Sequence, residues 1–397
     1  MSDKSLIVSI VAIALLVFSS CGNKHTSSDS ESGVNQVDSV DFNYPVAFQN
    51  AKGIDVVNGE NYKIVYIFHP DLPDTIDTYV LYPRHMERPQ LSEFSDAKVT
   101  AYIPIPITNI VCTSSVQVGA LPILNREEHL VGVVSIKNIN DLKLRALAKE
   151  GRIQEVGRGM SKNMERIMAL QPDVVLMDFT RTPEEAQKFK DSGIDILLYN
   201  SWKEQSLLGR AEWIKFIGML FGDNKLASEV FGEVTREYDS VKEIVANEEE
   251  IIPVMYGQDY KGTWYLPGEF SYVTSMLHDA KLSFDYAEGR VSSLPCSFER
   301  IFKNNRDVKV WICVMMSSVM TYKDFIAQND RYRFFAATQE GGTLVTDQKR
   351  VNEYGGNDYW ESGPYHPDLI LKDLIKITRP YLLPDYETTY FKQLTRQ

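Results

Sequence analysis

Met164-Glu165-Arg166-Ile167-Met168-Ala169-Leu170-Gln171-Pro172-Asp173-Val174-Val175-Leu176-Met177 decides how this chain folds. Met164 to Leu170 has the apolar spacing of a short helix, Pro172 prevents its continuation, and Asp173 to Met177 is an apolar run of strand length. Working outward, Pro183 to Ser192 reads as a helix with proline in its first turn, and Ile194 to Tyr199 as the next strand. Upstream, Ala101 to Cys112, apolar and β-branched, reads as one buried strand that runs into Thr113-Ser114-Ser115, which open a helix. Leu130 to Ser135 is a short strand and Asp141 to Ala148 a short helix. Strand, helix, strand alternation predicts an α/β fold with a mainly parallel sheet covered on both faces.

Beyond Ser206 the pattern becomes helical, interrupted only at Gly222-Asp223. Leu226, Val230, Phe231, Val234, Tyr238, Val241 and Val245 recur at threes and fours, so Asn224 to about Glu248 predicts one helix about 37 Å long at 1.5 Å per residue. Alternation resumes at Ile252 to Tyr256. It continues through a helix near Ser271 to His278, a helix at Phe298 to Lys303, the strand Val308 to Met316, a helix near Tyr322 to Asn329, Thr343-Leu344-Val345, and a last helix from Pro367 to Ile377. The economical reading is two α/β halves, 43–205 and 250–397, joined through a helical region at 206–249 by a single long helix. Residues 43–95, with alternating segments such as Tyr62 to Phe68 broken by Pro70, Pro73 and Pro83, read as a hairpin or small antiparallel addition.

The first residues point outside the cytoplasm. Lys4 precedes an apolar run from Leu6 to Phe18 interrupted only by Ser9, too short for a finished membrane span, and small residues follow. Residues 1–20 are expected to be an export signal. Cys21 stands where a bacterial lipobox places the acylated cysteine, although Phe18 occupies a position that favours Leu; an ordinary secretory signal with an incidental Cys21 is the alternative. Acyl chains at about 0.8 kcal/mol per buried methylene would anchor the protein to a membrane. Residues 21–42, rich in Ser, Asp, Asn and Gly, read as a flexible tether.

The formal net charge is -12 with no Lys/Arg stripe, which sets nucleic acid aside. Cys112, Cys296 and Cys313 show no CxxC spacing, and the six histidines show no HxxxH or HExxH pairing, so a dedicated metal site has little support. There is no GxGxxG or GxxxxGK[ST], and Ser114 and Ser115 lack a GxSxG elbow. No cofactor and no turnover are expected.

Two segments concentrate aromatics, amides and glycine: Tyr256 to Tyr265, with Tyr260, Lys261, Trp264 and Tyr265, and Asn352 to Glu361, with Asn357, Tyr359 and Trp360. Both follow strands, where a doubly wound sheet opens its crevice, and such side chains suit a large, flat, partly polar ligand. Rigid glycine-turn loops packing on their own lobe would give the same composition. In the first half, Thr113, Ser114 and Ser115 at a helix start offer backbone amides to an anionic group, and Arg158, between Gly157 and Gly159, can extend toward one. Arg158 is equally suited to capping a helix or pairing with a carboxylate. Trp202 is a further candidate.

Gly159-Met160-Ser161-Lys162-Asn163-Met164-Glu165-Arg166-Ile167, continuing through Ala169-Leu170-Gln171-Pro172-Asp173-Val174-Val175, resembles the substrate-binding lipoproteins of ABC importers for iron chelates and vitamin B12. Met164 stands where that family usually has Leu. Ser297-Phe298-Glu299-Arg300-Ile301 is similar to the corresponding helix of the second lobe, and Tyr260 to Tyr265 with Gly356 to Glu361 looks like a subgroup associated with iron-compound uptake. The resemblance covers roughly 101–383. It implies two Rossmann-like lobes with a rigid linking helix and small lobe motion. It also implies capture of a metal chelate (ferric siderophore, haem or cobalamin) between the lobes, and delivery to an ABC permease by a monomeric receptor. One glutamate per lobe docks on the permease in this family, which places that role on Glu165 and Glu299; ordinary helix-surface charge is the alternative. Direct binding of Zn or Mn, needing three or four converging His, Asp or Glu, is the rival ligand class, and a non-transport surface lipoprotein or enzyme on the same fold is the rival function.

Overall fold

The stretch quoted first folds as a helix, Met164–Ala169, followed by a strand, Val174–Met177, in a computed structural model that describes residues 42–69, 72, 74–90, 99–158, 161–178, 183–314 and 321–396. Asn163 caps the helix by accepting from the Arg166 amide at 3.0 Å. Asp173 has a structural task. Its carboxylate accepts from the amides of Thr108 and Asn109 at 2.6 and 3.0 Å and from the Thr108 hydroxyl at 2.7 Å, which fixes the turn leading into the neighbouring strand. The expected signal, Cys21 and nearly all of the tether lie outside the described residues.

The outermost element is a four-stranded sheet ordered β1-β2-β3-β4, formed by β1 (Ile54–Asn58), β2 (Lys63–Phe68), β3 (Thr75–Pro83) and β4 (Ala101–Ile105). β1 to β3 pair antiparallel as expected of this region, but β4 joins them parallel to β3. This corrects the reading of Ala101 to Cys112 as one strand. Pro104 and Pro106 carry no N–H for a ladder, so the run divides: its first half completes the outer sheet and its second enters the central one.

The first lobe's central sheet takes β5 (Ile110–Cys112), β6 (Leu130–Val133), β7 (Gln154–Glu155), β10 (Val174–Met177) and β11 (Asp195–Leu198) in the order β11-β10-β5-β6-β7, all parallel. A short antiparallel ribbon, β8 (Gly157–Arg158) and β9 (Ser161–Lys162), follows β7. Along β10 the side chains alternate between two cores. Val174 and Leu176 join the outer sheet and the helix Ile214–Phe221, while Val175 and Met177 join Ile167 and Phe189 on the opposite face. Both faces are therefore buried, as parallel strands require.

The second lobe repeats the plan with β12 (Ile252–Tyr256), β15 (Leu282–Ser283), β17 (Val310–Cys313), β18 (Thr343–Thr346) and the antiparallel edge β19 (Lys392–Gln393), ordered β15-β12-β17-β18-β19. Along β17, Ile312 faces one core and Trp311 and Cys313 the other. A small antiparallel sheet of β13 (Asp259–Tyr260), β14 (Thr263–Leu266) and β16 (Leu294–Cys296) grows from the carboxyl end of β12.

Between the sheets run helices Leu207–Glu212, Ile214–Phe221 and Asn224–Ile244. The first break, at Trp213, was not anticipated; the second, at Gly222, was. The 21-residue third helix, about 32 Å long at 1.5 Å per residue, places Ala227 and Phe231 in the first lobe's core and Tyr238 and Val241 in the second's. It ends at Ile244, before the acidic run Glu248-Glu249-Glu250, whose charge opposes the negative end of a helix dipole.

Candidate functional site

Loops leaving the carboxyl ends of the two central sheets meet, and the contact is extensive. Tyr199, directly after β11, and Tyr365 of the second lobe bring their hydroxyls to 2.6 Å, and the Tyr365 hydroxyl donates to the Val116 carbonyl at 2.8 Å. The Glu361 carboxylate accepts from the amides of Asn140 and Asp141, both at 2.8 Å. The Asn352 side-chain amide donates to the carbonyls of Lys137 and Ile139, and Arg145 pairs with Glu353. The segment after β18 thus clasps the first lobe, with the Glu361 carbonyl so close to Gly119 that a Cβ there would lie 1.9 Å away.

The cleft floor is buried and polar. Tyr199, Arg210, Tyr359 and Tyr365 are almost wholly enclosed. Burial pushes the hydroxyls of Tyr199, Tyr359 and Tyr365 above their usual range, while the Arg210 charge acts on all three in the opposite sense. Along the seam, a cavity of about 320 Å³ is lined by Gly119, Asn140 and Asp141 of the first lobe and Arg350, Glu361 and His366 of the second. Burial raises the Glu361 carboxyl to about 7 against the pull of the two amides, and depresses His366.

The expected ligand and docking residues fall into three groups. Trp202, Tyr260, Lys261 and Tyr265 are exposed, and Trp360 is half-buried against Tyr359. Trp202 lies in the loop after β11, whose Lys203 reaches Ser292 of the second lobe at 3.0 Å. Tyr260 and Lys261 sit at the tip of the β13–β14 hairpin, where Lys261 and Gly262 both take positive φ, at 54° and 87°, as a two-residue turn of this kind needs. The Lys261 ammonium lies over the Tyr260 ring, 5.2 Å from its centroid.

A second group is enclosed or already hydrogen-bonded within its own lobe. Trp264 alternates with Tyr265 along β14 and points inward, 1 % exposed, with its indole N–H donating to the Tyr256 carbonyl at 3.2 Å and its ring 5.8 Å from Trp311. Tyr359 is likewise 1 % exposed, among Trp360, Tyr390 and Phe391. Asn357 fixes its own loop, donating to Asp347 at 3.0 Å and accepting from the Tyr359 amide at 3.1 Å. The amides of Thr113 and Ser114 are not free: both donate to Gln117 Oε1, at 2.7 and 3.1 Å, and the Thr113 hydroxyl donates to the Leu176 carbonyl. The helix they open, Ser115–Val118, has four residues, too short a dipole to hold an anion.

For a third group the fold gives placement only. Arg158 lies on β8, and its side chain is outside the described residues. Glu165 and Glu299 stand exposed in the first turns of their helices, Met164–Ala169 and Phe298–Asn305, one per lobe; Glu299 pairs with Arg331 at 3.2 Å. Sequence reasoning missed Tyr199, Arg210, Glu361 and Tyr365. Arg210 sits among apolar helical positions, where its spacing gives no sign of what it meets.

Among the described residues no three His, Cys, Asp or Glu side chains are grouped to hold a metal ion, and no helix is long and apolar enough to cross a membrane. Cys112 and Cys313 are buried free thiols.

Residues 110–349 match the model of a periplasmic binding protein family. A Methanocaldococcus jannaschii protein described as an uncharacterized lipoprotein is 24 % identical over 306 residues, 73 % of this chain and 69 % of that one. The molybdate periplasmic binding protein of Haemophilus influenzae, solved with molybdate, superposes with a TM-score of 0.55 at 18 % identity, covering 72 % of this chain and 90 % of that one. A periplasmic heme binding protein from Pseudomonas aeruginosa gives 0.54 at 15 % identity, covering 73 % and 99 %.

Proposed function

Because the chain belongs to the periplasmic binding protein family, we propose that it is an extracytoplasmic lipoprotein that captures a metal chelate between its two lobes and passes it to an ABC permease. A ferric siderophore, haem or cobalamin is the ligand class. The observation that carries this reading is the meeting of the carboxyl-terminal loops of two parallel sheets across one seam, with Trp202 on one rim and Tyr260 and Tyr265 standing exposed on the other lobe. That is where an open α/β sheet offers its crevice, and exposed aromatics of this kind bury much ligand surface at small rotamer cost. The lack of a three-donor cluster among the described residues favours a chelate over bare Zn or Mn.

The chain of contacts along the seam and the helix Asn224–Ile244, rooted in both cores, favour small lobe motions over wide hinge closure. The test is to purify the chain from its host and record its visible absorption, then titrate it with haemin, a ferric siderophore and cyanocobalamin while following tryptophan fluorescence. A coloured preparation, or saturable quenching by one chelate, is expected. A colourless protein indifferent to all three overturns the reading.

A further inference from the structure

Arg210 is 1 % exposed, and it differs from every other deeply buried charge around it. Arg379, equally enclosed, donates to the carbonyls of Ala280, Glu250 and Lys281 at 3.0, 2.7 and 3.2 Å. Close by in the chain, Glu204 takes the amides of Lys52 and Gly53 and the Trp213 indole N–H, while Glu212 takes the amides of Asn50 and Ala51 and the Lys215 ammonium. Among the described residues Arg210 has no carboxylate partner, and its Nε has no hydrogen-bond acceptor. Its contact is with the face of Tyr272, 4.1 Å from the ring centroid. A guanidinium in that state is costly and is retained where something else supplies the anion.

The surroundings say where that anion comes from. Tyr199 belongs to the first lobe, Tyr272, Tyr359 and Tyr365 to the second, and Arg210 to the helix between them, so the group lies at the cleft floor. The Tyr359 hydroxyl, also buried, has no hydrogen-bond partner among the described residues either. Asp347, the buried carboxylate beside Tyr359, accepts from Asn357.

We propose that Arg210, with the Tyr359 hydroxyl beside it, is the anion seat of the cleft, so that the captured solute is a negatively charged chelate whose acidic oxygen takes the guanidinium's spare donors. This rests on the capture reading above and narrows it: haem, with its propionates, and ferric carboxylate or catecholate chelates qualify, whereas cobalamin and uncharged hydroxamate chelates do not. Since so little of Arg210 is exposed, the acidic group reaches it as the lobes part slightly around the entering ligand.

The test measures, on the full chain, equilibrium binding of haemin, ferric citrate, molybdate and cyanocobalamin together with the melting temperature of the ligand-free protein. Arg210→Met is expected to weaken binding of the anionic chelate at least tenfold and to raise the ligand-free melting temperature, because an unpaired buried charge is removed. Arg210→Lys, which keeps the charge without the fork of donors, should bind with intermediate affinity. Unchanged chelate affinity in Arg210→Met, or a lowered melting temperature there, overturns the inference while leaving capture intact, as does binding confined to cyanocobalamin or to molybdate. If the unaltered chain binds none of the four, the capture reading itself fails, and this inference with it.

Discussion

Tyr199 and Tyr365, one from each lobe, share a hydroxyl-to-hydroxyl contact of 2.6 Å in a fully buried setting, and the Tyr365 hydroxyl donates to the Val116 carbonyl at 2.8 Å. The order of donation is therefore fixed: Tyr199 donates to Tyr365, which donates to the backbone. Tyr365→Phe removes an acceptor and a donor together and strands two buried groups, whereas Tyr199→Phe leaves the bond to Val116 in place. Losses of about 1–3 kcal/mol for the former, and less for the latter, are expected in urea unfolding. Equal losses would show that the Val116 bond contributes nothing.

Gly119 has an ordinary helical φ of -61°, so alanine suits its backbone, yet the added carbon would stand 1.9 Å from the Glu361 carbonyl oxygen. Gly119→Ala must force the clasp away from the first lobe, at a cost of about 1–3 kcal/mol or more. Thermal unfolding should report a drop of several degrees, and small-angle scattering a wider separation of the lobes. A melting temperature within a degree of the parent's would mean that the clasp yields freely.

Glu361 couples the seam to pH. Its carboxyl, raised by burial from 4.5 to about 7, holds its proton in the folded chain under conditions where the unfolded chain has released it. The contribution is therefore fully present below pH 4.5 and is lost as pH rises toward 7, amounting to roughly 3 kcal/mol at about 1.4 kcal/mol per unit. Glu361→Gln, which keeps an acceptor oxygen for only one of the Asn140 and Asp141 amides and turns its NH2 toward the other, should lower stability overall and flatten that slope. His366, depressed by burial, works in the opposite direction and is common to both proteins, so the difference between their stability curves isolates Glu361. Parallel curves between pH 4.5 and 7 would contradict the assignment.

Trp264 and Tyr265 are neighbours on β14 with opposite roles. Trp264→Ala should cost about 3–5 kcal/mol by opening a cavity against Trp311, and Tyr265→Ala about 0.5 kcal/mol or less. Ligand titration should reverse the ranking, with Tyr260→Ala and Tyr265→Ala reducing affinity in proteins of normal stability. A Tyr265→Ala variant that binds as before would remove this rim from the capture site.

Glu165 and Glu299 are proposed as the permease contacts, one exposed carboxylate per lobe. Glu165→Arg combined with Glu299→Arg should leave chelate affinity unchanged and abolish uptake in cells that depend on this receptor. Normal uptake by the double variant would return both residues to plain helix-surface charge.

Sequence legibility varied with the kind of question. The helix Met164–Ala169 and strand Val174–Met177 were readable because Pro172 and the apolar run act locally. The division of Ala101 to Cys112 was not, since choosing between two sheets depends on which partner strand is available. Thr113 and Ser114 looked like free donors because the Gln117 side chain that consumes them is ordinary in sequence and decisive in position. Tyr260 and Tyr265 stand exposed, while Trp264 between them turns inward with the two-residue strand period.

The order and nature of the elements, two α/β halves separated by helices, were determined by the sequence itself, because apolar period and proline placement govern each segment over a few residues. Tertiary structure alone decided the meeting of Tyr199 with Tyr365, the clasp of Glu361 on Asn140 and Asp141, and the isolation of Arg210. Periodicity reports that a side chain is buried; what it is buried against depends on distant parts of the chain brought together by packing.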